Sequence, residues 1–212
     1  MDQYFLCFDT ETGGLSPESA DLLTAYFAIA DEEYKILDEI YLKLKPNSER
    51  LPIVESQALK INGIDIKAHL ADPETISYDE GKEKLLAMIK KYLKKSGKYS
   101  NIRPFGYNIL GFDIKWLQKY LLPENEWVKV LHYKTADVMQ AVDFLKRVGW
   151  FPPELGSLNT VVEFLGLPKL DAHDAKNDVQ MTISVDKKLK EIMAAKKDGG
   201  QSADLISLLE AE

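Results

Sequence analysis

Asp9 and Glu11 close an apolar run, Tyr4-Phe-Leu-Cys-Phe, and are followed by Thr12-Gly-Gly-Leu15. An apolar run of that length bounded by glycine reads as a core strand. Residues two apart on a strand share a face, so the two acids stand side by side at the edge of a hydrophobic core. Unpaired carboxylates there repel one another and are costly to desolvate, unless a proton or a cation intervenes. A hard divalent ion such as Mg²⁺ or Mn²⁺, which prefers oxygen ligands, is the natural cation. Two further acids occupy unusual settings. Gly106-Tyr-Asn108-Ile-Leu-Gly-Phe-Asp113 places Asp113 at the start of a helix that follows a core strand, and Ala172-His173-Asp-Ala-Lys-Asn-Asp178 places Asp178 one turn into the last helix with His173 just ahead. Each has an ordinary explanation when taken alone. An acid in a first turn complements the helix dipole, a histidine before a helix is often a cap or surface group, and Asp174 can itself be the N-cap.

The elements that must position these groups follow from periodicity. Leu22 to Ala30 and Tyr34 to Lys45 read as two further strands joined at Asp31-Glu-Glu, with Pro46 closing the second. In that second strand Ile36, Ile40, Leu42 and Leu44 keep a largely two-residue period. Residues 52–70 mix short helical patterns with a break at Gly63, and from Ser77 a helix carries Leu85, Leu86, Ile89, Tyr92 and Leu93 on one face. Ile102 to Tyr107 is a short core strand; a helix bearing Phe112, Trp116, Leu117, Tyr120 and Leu121 follows and is stopped by Pro123. Val128 to Tyr133 reads as a last strand and Lys134 to Arg147 as a helix. Ser157 caps another helix, and a long one runs from Asp174 to Lys196. Three antiparallel strands followed by alternating helix and strand predict a mixed α/β sheet covered by helices.

A strand-end Asp-x-Glu, a Gly-Tyr-Asn…Phe-Asp and a His-x4-Asp, in that order, resemble the three exonuclease motifs of the DnaQ-like superfamily. The histidine of the third motif matches its DEDDh branch. The resemblance spans roughly residues 4–190 and includes Ala58-Leu-Lys-Ile-Asn-Gly63-Ile, similar to the family's linker after the third strand. It implies an RNase H-like fold, with a five-stranded mixed sheet (three antiparallel strands, then parallel ones) flanked by helices. It also implies a 3′→5′ exonuclease releasing nucleoside 5′-monophosphates with two Mg²⁺ or Mn²⁺ ions. By this resemblance Asp9, Glu11 and Asp178 hold one metal, Asp9 bridges to the second, and Asp113 acts largely through metal-bound water. His173, the group near these acids that titrates close to neutrality, suits a general base. Thr12, Gly13 and Gly14 let backbone approach a terminal nucleotide closely. Leu15 matches the position that wedges against the terminal base, or is a simple core leucine, and Asn108 resembles the asparagine beside the scissile nucleotide. Tyr107 stands where many relatives carry histidine. Trp150-Phe151 is either a stacking surface for bases or core.

Bulk properties bound these readings. The chain has 212 residues, 45% of them apolar and 29% charged, which suits a single domain over 1–195 with a flexible tail over 196–212. The tail is a Lys196-Lys-Asp-Gly-Gly-Gln-Ser linker ending in Asp204-Leu-Ile-Ser-Leu-Leu-Glu, either a frayed or docked turn or a peptide that docks a clamp or polymerase. A net charge of −7 argues against a passive nucleic-acid coat but not against a metal-dependent enzyme. Lys90, Lys91, Lys94, Lys95 and Lys98 form a basic cluster, either a solvated helix face or a phosphate contact. Cys7 is the single cysteine, read as a small core residue. No apolar run is long enough to span a membrane and no leader segment precedes the first strand, so a cytoplasmic location is expected. The expected substrate is single-stranded or 3′-terminal DNA, with RNA as the alternative sugar. A binding subunit that merely positions a polymerase or clamp is the reading from another class, disfavoured because all four acids and the histidine are present.

Overall fold

The computed structural model describes residues 3–171 and 174–198. Its centre is the pair β1 (Tyr4–Thr12) and β2 (Leu22–Ala30), antiparallel and joined outward to β3 (Ile36–Lys45). Every residue of β2 is buried, which is why its sequence is apolar apart from Thr24 and shows no alternation. After β3 come α1 (Ser56–Asn62) and α2 (Ile66–Ala71), separated at Gly63, whose φ of 67° ends the first helix in the left-handed conformation glycine tolerates. β4 (Thr75–Ser77) adds three residues parallel to β3 and leads directly into α3 (Tyr78–Tyr92), opened by a Ser77–Glu80 capping box. A small ribbon, β5 (Lys95–Ser96) and β6 (Tyr99–Ser100), precedes β7 (Ile102–Gly106), which pairs parallel to β1. The chain continues through α4 (Asp113–Tyr120), α5 (Glu124–Val130), β8 (Ala136–Asp137), α6 (Val138–Arg147), α7 (Leu158–Phe164) and α8 (Ala175–Asp198).

The main sheet has the order β4-β3-β2-β1-β7-β8, antiparallel through the first hairpins and parallel across β7 and β8. Its sixth strand, β4, extends the expected five at one edge. The strand expected at Val128–Tyr133 is instead the end of α5 and the turn after it. Trp127 and Val130, three residues apart, bury on one side of that helix, and Pro123 O accepts from the Glu126 and Trp127 N–H groups at its start. The true last strand, β8, has only two residues and is too short to leave a periodic signature.

Alternation along β1 sorts its side chains between two cores. Leu6 and Phe8 join Leu85, Met88, Trp116 and Leu117 from α3 and α4, whereas Cys7 joins Val179, Met181 and Val185 from α8. Cys7 is fully buried with its thiol pKa pushed up, chiefly by burial, so it is a core residue. Phe151 is likewise core, with Trp150 packed against the same cluster. Among the described residues, no helix is long and apolar enough to cross a membrane.

Candidate active site

The same alternation explains where the acids go. Asp9 and Glu11 share the face of Cys7, the face that α8 covers, and Asp178 in the first turn of α8 meets them there. One carboxylate oxygen from each of Asp9, Glu11 and Asp178 lies within 4.8 Å of the other two. Thr10 points to the opposite face, toward α4, and its hydroxyl donates to Asp113 Oδ1 at 2.6 Å. Asp113 is thus brought to the same strand end from the other layer, only 3% exposed.

The electrostatics of this cluster are those of like charges crowded in a poorly solvated place. Burial, then Asp113, Glu11 and Asp178, push Asp9 well above the usual carboxylate range. Burial, then Asp178 and Asp113, push Glu11 to about 9. Asp113 is raised to about 7 by burial, opposed by hydrogen bonds that include the Thr10 hydroxyl. Asp174 adds to the field on Asp9 and Glu11, and it caps α8 by accepting from the Lys176 and Asn177 N–H groups at 3.1 Å. Three acids held above their usual range (Asp9, Glu11 and Asp113), with oxygens of Asp9, Glu11 and Asp178 converging, make a donor set that fits a hard divalent cation.

The cluster forms part of the wall of an open cavity of about 350 Å³ lined also by Thr12, Gly14, Leu15, Ile61, Asn108 and Phe112. Leu15 is 77% exposed at this cavity, so it is not a core leucine. A register irregularity between Glu11 and Thr12 bends the chain out of the sheet here. Thr12 Oγ1 then donates to Gly14 O at 2.7 Å, and Asn62 Nδ2 donates to Thr12 O at 3.1 Å. Gly13 does not line the cavity. It lies against segment 53–55, where a Cβ would come within 2.7 Å of Ile53 O, and its carbonyl accepts from Glu55 N. That segment is latched by Asp21, which is 1% exposed and accepts from Arg50 at 2.6 and 2.8 Å and from Ile53 N at 2.7 Å. Burial pushes the Asp21 pKa up, but these donors outweigh it and hold it below the usual carboxylate range.

Asn108 lines the cavity with φ of 60° and is held by an acid that sequence reasoning passed over. Asp137 accepts from Asn108 N at 2.9 Å and Leu110 N at 3.0 Å while capping α6 through Met139 N at 3.1 Å. Tyr107 also lines the cavity, its hydroxyl donating to Gly156 O at 3.0 Å. The sequence does signal Asp137 as a cap ahead of an amphipathic helix. Its reach to the 108–110 turn, like the Thr10–Asp113 bond, depends on the β7–β8 and β1–α4 juxtapositions. His173 and the tail from 199 onward lie outside the described residues.

This sheet order, with a long helix crossing the central strand, is an RNase H-like architecture. No family model and no curated protein matches the chain. Among solved structures it is similar to exonuclease I of Escherichia coli. The zinc-bound complex of that enzyme with single-stranded DNA superposes with a TM-score of 0.74 at 19% identity over 93% of this chain and 42% of that one. The complex with a dT13 oligonucleotide gives 0.70 at 22% identity over 92% and 43%, and the apo enzyme 0.70 at 19% over 90% and 42%. The likeness establishes the fold, and the chain spans less than half the length of these structures.

Proposed function

We propose that this protein is a divalent-metal-dependent 3′→5′ exonuclease of the DEDDh kind, removing nucleoside 5′-monophosphates from single-stranded or frayed DNA ends. The observation that carries this reading is the convergence of Asp9, Glu11 and Asp178 within 4.8 Å at the wall of an open cavity. The motif order in the sequence and the likeness to exonuclease I, crystallised with single-stranded DNA, support the same reading.

Asp9, Glu11 and Asp178 would hold the metal, with Asp9 shared between two ions. Bound divalent cations would supply charge stabilisation to the attacking and leaving oxygens of the phosphodiester. Asp113, fixed by Thr10, would orient water at the edge of the cluster. His173 would take the proton from the attacking water, a role that suits the histidine side chain as a residue type. Leu15 would pack against the terminal base, Gly14 and Thr12 would bring backbone to the terminal nucleotide, and Asn108 would stand beside the scissile phosphate. Gly13 would contribute by letting segment 53–55 pack closely beneath that turn.

The test compares the protein with Asp178→Asn on single-stranded DNA in Mg²⁺ or Mn²⁺. The substitution is expected to remove at least ~10²-fold of the rate, and excess chelator is expected to abolish it. Hydrolysis that persists in chelator, or an Asp178→Asn variant as active as the parent, would overturn the proposal.

A further inference from the structure

A second surface, at the opposite end of the sheet from the carboxylates, combines flat aromatic rings with fixed positive charge. Tyr4 N donates to Asn101 O and His132 N to Ile102 O, at 2.9 and 2.7 Å, which puts the 99–101 and 131–134 segments at the starting ends of β1 and β7. Tyr133 lies 4.7 Å from His132 in a stacked arrangement and 5.3 Å from Tyr99. Tyr99 and Tyr133 are 44% and 62% exposed, although large aromatic rings usually bury. Lys98 Nζ stands 5.4 Å from the Tyr99 ring centre and Lys134 Nζ 5.8 Å from that of Tyr133.

Two cavities open here. One, of about 570 Å³, lies between Lys98, Tyr99 and Tyr133. The other, of about 190 Å³, is lined by Arg103, His132 and Lys134 among others. Among the described residues, three fixed cations and no carboxylate line the two cavities, in a chain whose formal charge is −7. Arg103 donates through Nη2 to Thr135 O at 2.6 Å, while its buried Nε has no hydrogen-bond partner among the described residues. An orphaned donor on a buried cationic group is costly and favours an anion nearby. Exposed rings interleaved with cations match a polymer that alternates flat bases with phosphates.

We infer that this surface is a second contact site for single-stranded nucleic acid, with bases stacking on Tyr99 and Tyr133 and phosphate held by Arg103 and Lys134. The inference takes the identity of the polymer from the exonuclease reading. Arg103 pairs with Phe5 across the sheet. Four to six residues of β1 separate Phe5 from Asp9 and Glu11, or roughly 13–20 Å. At the ~3.4 Å rise of a stacked strand that distance is about four to six nucleotides. Only a strand longer than this reaches both sites, so the surface would hold long substrates while short ones reach the carboxylates without it.

The test measures binding of 5′-fluorescein-labelled dT15 by anisotropy in excess chelator, where no turnover occurs, using the full chain. Tyr133→Ala and Lys134→Gln, both at exposed positions, are the variants. Tyr133→Ala is expected to weaken dT15 binding roughly 5- to 100-fold. Lys134→Gln is expected to lower the slope of log affinity against log salt by about one. Hydrolysis of dT2 in Mg²⁺ is expected to be unchanged in both. Parental dT15 binding by both variants, including the case where they alter only self-association or binding to a protein, would overturn the inference. A parent protein that binds dT15 through Tyr133 but hydrolyses no DNA or RNA would refute the exonuclease reading while leaving this site standing.

Discussion

Cation binding at the carboxylate cluster is expected to eject protons, and the structure gives the number. With Glu11 pushed to about 9, its carboxyl is almost wholly protonated at pH 7, and removing that proton costs about 3 kcal/mol. Asp9 is also raised well above its usual range, and Asp113, at about 7, is near half-titrated. A divalent ion needs ionised oxygens, so its binding must remove the Glu11 proton and part or all of those shared by the others. Release of at least about one proton at pH 7 follows. Each displaced proton makes apparent affinity rise about tenfold per pH unit. Between pH 6 and pH 8 the Mn²⁺ dissociation constant should therefore fall by at least roughly 10²-fold. Calorimetric titration with Mn²⁺ in buffers of different ionisation enthalpy counts the protons directly. Binding without proton release, at an affinity independent of pH over this range, would refute the picture of a strained, largely protonated cluster.

The same shifts fix the sign of the metal-free protein's pH dependence. Carboxyls whose folded pKa is raised bind protons more tightly in the folded state, so they favour folding below about pH 4 and lose that contribution as pH rises through 7 to 9. The chelated protein's melting temperature should fall over that window, and Asp9→Asn should raise it at pH 8 while removing stabilisation by Mn²⁺. Thr10→Val, which deletes the hydroxyl that Asp113 accepts from, should cost about 1–3 kcal/mol by denaturant unfolding, most visibly above pH 7. Asp137→Ala leaves three N–H groups of the 108–110 turn and α6 without their acceptor; a loss of about 2–4 kcal/mol is expected. His173→Ala should fold normally and lose on the order of 10²- to 10⁴-fold in turnover at neutral pH, which steady-state rates on single-stranded DNA will measure.

Much of this site was legible because the acids lie where strong periodic elements end. The apolar run of β1 and the almost wholly apolar β2 declared the central hairpin, and the two-residue spacing of Asp9 and Glu11 placed both on one face. Which helix covered that face was not readable locally, since α8 reaches β1 only through packing some 170 residues later in the chain. Thr10 is the instructive omission. Its alternation predicts the opposite face, which looked irrelevant to Asp9, yet α4 on that face delivers Asp113 to it. The 128–133 strand failed for a local reason: its valines and leucine fit a strand, but Trp127 and Val130 pack as a helix behind Pro123, and the true strand has two residues. Gly13 and Gly14 read alike in sequence, and both lie against segment 53–55, Gly13 at the Ile53 backbone and Gly14 at the Glu55 side chain, but only Gly14 also lines the cavity.

The most direct measurement of the central claim is a time course on matched single-stranded DNA and RNA carrying a label at either the 3′ or the 5′ end, with Mg²⁺ present. Immediate appearance of labelled nucleoside 5′-monophosphate from the 3′-labelled strand, with stepwise shortening of the 5′-labelled one, is the predicted result, and the faster of the two polymers identifies the preferred sugar. Release of the 5′ label first, internal cuts without mononucleotide, or no hydrolysis of either polymer would contradict the assignment of Asp9, Glu11, Asp113 and Asp178 as a 3′→5′ exonuclease centre.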